Sequence, residues 1–203
     1  MPEAATRSLP PVPATEWMRP LPAAMRFILQ GDARVRAIAA PLWGAAFAEE
    51  ACRAVAEDAR ATLWLGPDEY LLLGTLPGGD DASSDTAAAD ALERALGALP
   101  HALVNISHRQ FALEVSGPYA AAILSGACPL DLDIGEFPVG MCTRTALAKA
   151  DIVLWRKRED VFHLEIWRSF SGYVTGLLGE IALEFTGEGS PLRTPSGAEN
   201  GAS

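Results

Sequence analysis

Two segments limit what this chain can fold into. "WLGPDEYLLLG" (64–74) and "LWRKREDVFHLEIW" (154–167) each place a short polar turn between runs that are apolar at nearly every position. A strand with one wet face alternates apolar and polar residues, whereas a strand apolar on both faces needs cover on both. Either segment could be the lip of a ligand pocket or a buried hairpin. Apolar residues on both faces are what a central hairpin between two layers requires. Pro67-Asp68 suits a tight type I turn, because proline presets φ at the second turn position.

The segments around these hairpins repeat. "FILQG" (27–31) leads into a helix-like run with Val35, Ile38 and Ala39, and "FALEVSG" (111–117) leads into "PYAAAIL" (118–124). Pro118 is suited to a first helical turn, where its missing N–H costs nothing. The hairpins align with Leu63-Trp64 opposite Leu154-Trp155, Asp68-Glu69 opposite Glu159-Asp160, and Leu71 opposite Phe162. A helix over 86–99 follows the first, and one over 169–185 follows the second. Phe170, Tyr173, Val174, Leu177, Leu178, Ile181 and Phe185 form the apolar stripe of the second, and Ser169 is positioned as its N-cap. Additional strands are expected at 102–106 and 143–148. The fold class is therefore α+β, with two related lobes of mainly antiparallel sheet and packed helices, over 23–100 and 101–186. Residues 1–22, with six prolines, read as a disordered arm, and 187–203, rich in Gly, Ser and Pro, as a disordered tail. "PGGDDASSD" (77–85) reads as a polar loop and lacks the Lys-Ser/Thr ending of a phosphate-binding loop.

Charge and composition exclude several functions. A net charge of −10 over 203 residues disfavours nucleic acid. The longest basic run, Arg156-Lys157-Arg158, reads as a solvated turn. Three cysteines, none spaced Cys-x-x-Cys, support neither a disulfide framework nor a zinc site. No apolar run approaches the ~20 residues of a membrane span, so no membrane partner and a cytoplasmic location are expected. Ser107 and His108 are adjacent, and strand neighbours point to opposite faces, so without a bulge they cannot pair as nucleophile and base. His163 alternates with apolar strand residues and reads as a satisfied or solvent-facing histidine. Ser116-Gly117-Pro118 occupies a strand-to-helix turn, but with one glycine, which a tight turn explains. No catalytic, cofactor-binding or metal-binding set emerges, which points to a binding or assembly role. His108, Arg109, Arg144 and Arg168, close to apolar strands, are candidate interface residues.

"WLGPDEYLLL", "NISHRQFALEVSGPYAAAILSGACPLDL", "FPVGMCTRT" and "WRSFSGY" together resemble the gamma-subunit family of heterotetrameric sarcosine oxidases, over about 25–186. The resemblance implies a structural subunit of a complex that demethylates sarcosine to glycine. Hydrogen peroxide is produced, and the one-carbon unit passes to tetrahydrofolate. It also implies that FAD, FMN, NAD, tetrahydrofolate and zinc belong to the other subunits. The partners would be the alpha, beta and delta subunits, chiefly alpha. The implied fold is that of the folate-binding domain of glycine-cleavage aminomethyltransferase. The alternative in that wider family is one-carbon transfer by this chain acting alone on folate. Those enzymes carry Gly-Gly-x-x-Asp-Asp. The matching stretch here, "LAKADIVLWR" (147–156), keeps one aspartate, Asp151, and lacks the glycine pair. Asp151 is thus the candidate folate contact.

Overall fold

The structure, a computed structural model, describes residues 14–75 and 82–186. The expected tail over 187–203 and the first part of the expected arm, 1–13, lie outside these residues. So does most of the loop expected at 77–85.

Among the described residues the chain runs β1 (Met18–Pro20), β2 (Ala24–Gln30), α1 (Ala33–Trp43), β3 (Ala54–Glu57), β4 (Arg60–Gly66), β5 (Glu69–Thr75) and α2 (Ala82–Leu96). It continues through β6 (Ala102–Asn105), β7 (Gln110–Ser116), α3 (Ala120–Ser125), β8 (Cys142–Leu147), β9 (Ala150–Arg158), β10 (Val161–Trp167) and α4 (Ser171–Thr186). Two five-stranded antiparallel sheets result, ordered β3-β4-β5-β2-β6 and β8-β9-β10-β7-β1.

The sheets lie face to face, each covered outside by helices, giving four layers and three apolar cores. Met25, Phe27, Leu29, Tyr70 and Leu72 pack outward against Val35, Ala39 and Trp43 of α1 and Leu92 and Leu96 of α2. Leu113, Leu154, Phe162 and Leu164 pack outward against Ile123 of α3 and Val174 and Leu178 of α4. Leu63, Leu65, Leu71 and Leu73 meet Cys142, Val153 and Trp155 between the sheets. The two hairpins are therefore core hairpins, covered on both faces. The connection at Pro67-Asp68 is tight, but Asp68 has φ 56°, whereas a type I turn holds its third residue near about −90°.

The repeat extends through the whole topology. Both sheets have the same order, and the β4–β5 and β9–β10 pairs are irregular at equivalent places, between Trp64 and Gly66 and at Arg156–Arg158. The ladders also fix the correspondence. Gln30 opposite Glu69 matches Ser116 opposite Val161, and Thr62 opposite Leu72 matches Leu154 opposite Leu164. Leu63 thus corresponds to Trp155, and Tyr70 to Phe162. The alignment read from sequence, Leu63 with Leu154 and Leu71 with Phe162, is one residue out of step.

The leading strand of each repeat crosses into the other repeat's sheet. β1 pairs with β7, and β6 pairs with β2. The arm expected over 1–22 therefore ends as a sheet strand, with Met18 buried at 2% exposure. The lobe boundaries expected at 23 and 101 do not coincide with the sheets, because residues 18–20 complete the second sheet and 102–105 the first.

Several local expectations shift. Ser107–Arg109 form a turn between β6 and β7, so the strand argument separating Ser107 from His108 does not apply. Instead the Ser107 hydroxyl accepts the Arg26 backbone N–H at 2.9 Å. Pro118 precedes α3 within a turn closed by the Ala120 N–H to the Gly117 carbonyl, and Gly117 has φ 106°, which favours glycine. A 3₁₀ turn over Arg168–Phe170 occupies the start expected for the last helix, so Ser169 caps nothing. α2 begins at Ala82, four residues before the expected start, and Asp85 is buried within it. Arg156 is not part of a solvated turn. Its guanidinium donates to the carbonyls of Leu132 (3.1 Å) and Phe137 (2.8 Å), tying the loop after α3 to β9.

Candidate functional site

The space between the sheets is not uniformly apolar. Inward positions on β9 and β10 alternate with the outward core residues, so Asp151, Val153 and Trp155, and His163, Glu165 and Trp167, face the other sheet. Arg26 of β2 meets them from across the gap. Its Nε donates to Glu165 Oε2 at 2.6 Å, and its Nη1 to the Ala24 carbonyl at 3.2 Å. Glu165 Oε1 lies 2.8 Å from His163 Nε2. Both carboxylate oxygens are thereby satisfied in a residue 1% exposed.

Burial pushes the Glu165 carboxyl upward. The Arg26 charge, with His163 beside it, outweighs this and holds it below the ordinary value of 4.5. A buried carboxylate is tolerable only when paired and hydrogen-bonded in this way. A second inward carboxylate, Glu114, is 6% exposed and accepts Arg19 Nε of β1 at 2.8 Å.

A cavity opens on either side of this buried cluster, and Glu165 borders both. The first, about 410 Å³, is lined by Arg109, Gln110, Arg144, Asp151 and Trp167 over a floor of Ile28, Ile106 and Val153. The second, about 420 Å³, is mostly apolar, with Arg26, Asp58, Arg60, Lys157 and His163 also on its lining. Three candidates from separate stretches of sequence, Arg109, Arg144 and Asp151, therefore share one cavity. Arg109 stacks over the Trp167 ring, 3.8 Å from its centroid. Arg144 grips Glu69 of the other sheet through both terminal nitrogens, one contact at 3.0 Å. This contact holds the Glu69 carboxyl below its usual range.

The structure does not bring the other two candidates into the cavity. His108 is exposed in the β6–β7 turn. Arg168 follows Trp167 and reaches Arg109 by its backbone N–H, which donates to the Arg109 carbonyl at 3.0 Å.

The reading from sequence missed Arg26, Glu165, Gln110 and Trp167. One signal was available: His163 and Glu165 stand two apart in an apolar strand, so they share a face and can pair. Nothing in the sequence indicates that Arg26, 139 positions from Glu165, completes the cluster.

Cys142 lies in the core between the sheets. Burial pushes the Cys142 thiol up to about 12, so it stays protonated and inert at neutral pH. Among the described residues no group of three or more His, Cys, Asp or Glu could hold a metal ion. No described helix is long and apolar enough to cross a membrane.

Comparison with known proteins places these features in a family context. Residues 30–184 match the family model described as "Sarcosine oxidase, gamma subunit family". The chain is 35% identical over 126 residues to the sarcosine oxidase subunit gamma of Corynebacterium sp. (strain U-96), covering 62% of this chain and 58% of that protein. It is 35% identical over 109 residues to the corresponding subunit of Arthrobacter sp, covering 54% of this chain and 50% of that one. The chain thus spans between half and three-fifths of the length of these relatives. Among solved structures it is similar to a chain of the heterotetrameric sarcosine oxidase from Corynebacterium sp. U-96 in complex with pyrrole 2-carboxylate. That match has a TM-score of 0.75 and 27% identity, and covers 87% of this chain and 90% of that one. It also shares the fold of glycine cleavage system aminomethyltransferase T from Bartonella henselae, with a TM-score of 0.57 and 15% identity, over 79% of this chain and 44% of that one.

Proposed function

The chain belongs to the sarcosine oxidase gamma subunit family, and from that premise we propose that it is a non-catalytic, structural subunit of a heterotetrameric complex that oxidises sarcosine. The observation that carries this reading is the similarity to a chain of such a complex over 87% of this one. The complex would demethylate sarcosine to glycine, release hydrogen peroxide and pass the one-carbon unit to tetrahydrofolate. Alpha, beta and delta subunits, alpha foremost, would be the partners, in the cytoplasm. FAD, FMN, NAD, tetrahydrofolate and zinc would reside on those subunits.

The contribution of this chain is geometric. Three cores and a buried ion cluster pin the two sheets together, which suits a subunit that holds partners in register. His108 and Arg168 are not among the residues lining the polar cavity, and Tyr173 of α4 is 41% exposed. Arginine and exposed aromatic residues are favourable chemistry for an interface centre, and His108, Arg168 and Tyr173 are the contact residues we favour.

The test is co-expression of the tagged chain with the genes beside its own, followed by purification. Flavin absorbance and sarcosine-dependent peroxide in the purified material are expected. A colourless chain that purifies alone under these conditions overturns the reading.

A further inference from the structure

The internal duplication supplies a control for the polar cavity. Because the ladders fix the correspondence between repeats, each wall position of one cavity has a counterpart in the other. Ala24 opposite Thr75 on β2–β5 corresponds to Gln110 opposite Trp167 on β7–β10. Ala56 opposite Ala61 corresponds to Arg144 opposite Val153. Counting back along β4 and β9 from Thr62 and Leu154 places Ala59 with Asp151. One step before β2 and β7, Ala23 corresponds to Arg109.

All these counterparts line the second cavity, so the two cavities are related by the pseudo-twofold of the fold. At these five places the second cavity has four alanines and a threonine, with Asp58, Arg60 and Lys157 elsewhere on its lining. At the same places the first has arginine, glutamine, arginine, aspartate and tryptophan. The repeat accommodates alanine at four of these places and threonine at the fifth, so its strand pairing does not demand the polar set.

The charges on the polar wall are only partly used. Arg144 is neutralised by Glu69, and Glu165 by Arg26 and His163. Among the described residues Arg109 and Asp151 have no ion-pair partner. The Gln110 Oε1 is buried at the same wall without a hydrogen-bond partner, a state that usually has a cause. Asp151 lies one step beyond the paired Ile152 and Ile166 and lines the same cavity as Trp167. Arg109 stacks on that same indole. One cation and one anion, neither in an ion pair, therefore share with this ring an open cavity of about 410 Å³, a volume in the ordinary range for small-molecule sites.

We propose that this cavity binds a small amino-carboxylate zwitterion, its carboxylate on Arg109 and its ammonium on Asp151, over the Trp167 ring. A singly charged ligand would leave one of the two groups unmatched. This inference goes beyond the assembly role and does not depend on it.

The test uses the full chain and Trp167 as reporter. Glycine and sarcosine are titrated against it by indole N–H chemical shift, with acetate and methylamine as singly charged probes. Both zwitterions are expected to shift the Trp167 signal saturably, and each singly charged probe to bind at least about tenfold more weakly. Arg109→Ala and Asp151→Asn should each weaken zwitterion binding by about tenfold with an unchanged thermal midpoint. Ala59→Thr in the apolar cavity should leave it unchanged.

Absence of a saturable shift with either zwitterion overturns the proposal. So does equal binding of acetate, which would mark a plain anion site, or retention of binding by Asp151→Asn. Co-purification with the other subunits is scored separately on the same variants. A chain that assembles without binding fails only this inference, and one that binds without assembling fails only the assembly reading.

Discussion

Arg26, Glu165 and His163 show how a residue's neighbours decide its value. Arg26→Ala leaves the Glu165 carboxylate buried beside one histidine, and removing one member of a buried ion pair costs about 3–5 kcal/mol. The urea-unfolding midpoint at pH 7 should fall accordingly. An Arg26→Met, Glu165→Leu double variant should recover part of the loss, because an apolar pair carries no desolvation penalty. The pH dependence follows from the depressed carboxyl of Glu165. Its folded-state value lies below the ordinary 4.5, so its contribution is fully present above about 4.5 and fades as pH falls through the folded value. Urea unfolding at descending pH should show stability dropping over that acid range. In Glu165→Gln the drop should be shallower, from an already lower plateau at pH 7.

At the scale of elements, β1 and β6 carry more than their length suggests. β1 has three residues, yet it covers the edge of β7, inserts Met18 into the core and supplies Arg19 to the buried Glu114. Removing residues 1–20 loses burial of a methionine worth about 2 kcal/mol and uncovers a sheet edge. The truncated chain is expected to unfold at lower urea and to aggregate at concentrations where the full chain does not, by light scattering. Strand existence and type were legible in the hairpins because apolar residues on both faces allow few alternatives. Pairing was less so. The repeat alignment read from sequence placed Leu63 with Leu154, one step from its structural counterpart Trp155. A shift of one residue along a strand exchanges its faces. Leu63 faces the space between the sheets, whereas Leu154 faces α3 and α4.

The whole molecule is a duplication whose halves are interlocked. Each sheet borrows its edge strand from the other repeat, so neither repeat closes its own sheet. Residues 24–100 and 101–186 produced separately are expected to lack a cooperative thermal transition. Mixing 14–22, as a peptide, with 101–186 should not restore one, because the inner face of that sheet still lacks its apolar partner. Cooperative unfolding of either half alone would show that the interlock is dispensable.

The sequence by itself determined the α+β class, the two central hairpins and the repeat. These follow from local periodicity, turn chemistry and residue inventory, all of which act over a few residues. Only the tertiary structure decided that β1 and β6 change sheets, that Arg156 is buried against carbonyls, and that Arg26 meets Glu165. It also decided that Arg109, Arg144 and Asp151 share a cavity whose mate has alanine at the corresponding places. Those outcomes depend on which faces of distant strands oppose one another. Contacts across 139 positions leave no periodic trace along the chain. They are fixed when two sheets with apolar inner faces pack together and the polar groups on those faces must find partners or remain open to solvent.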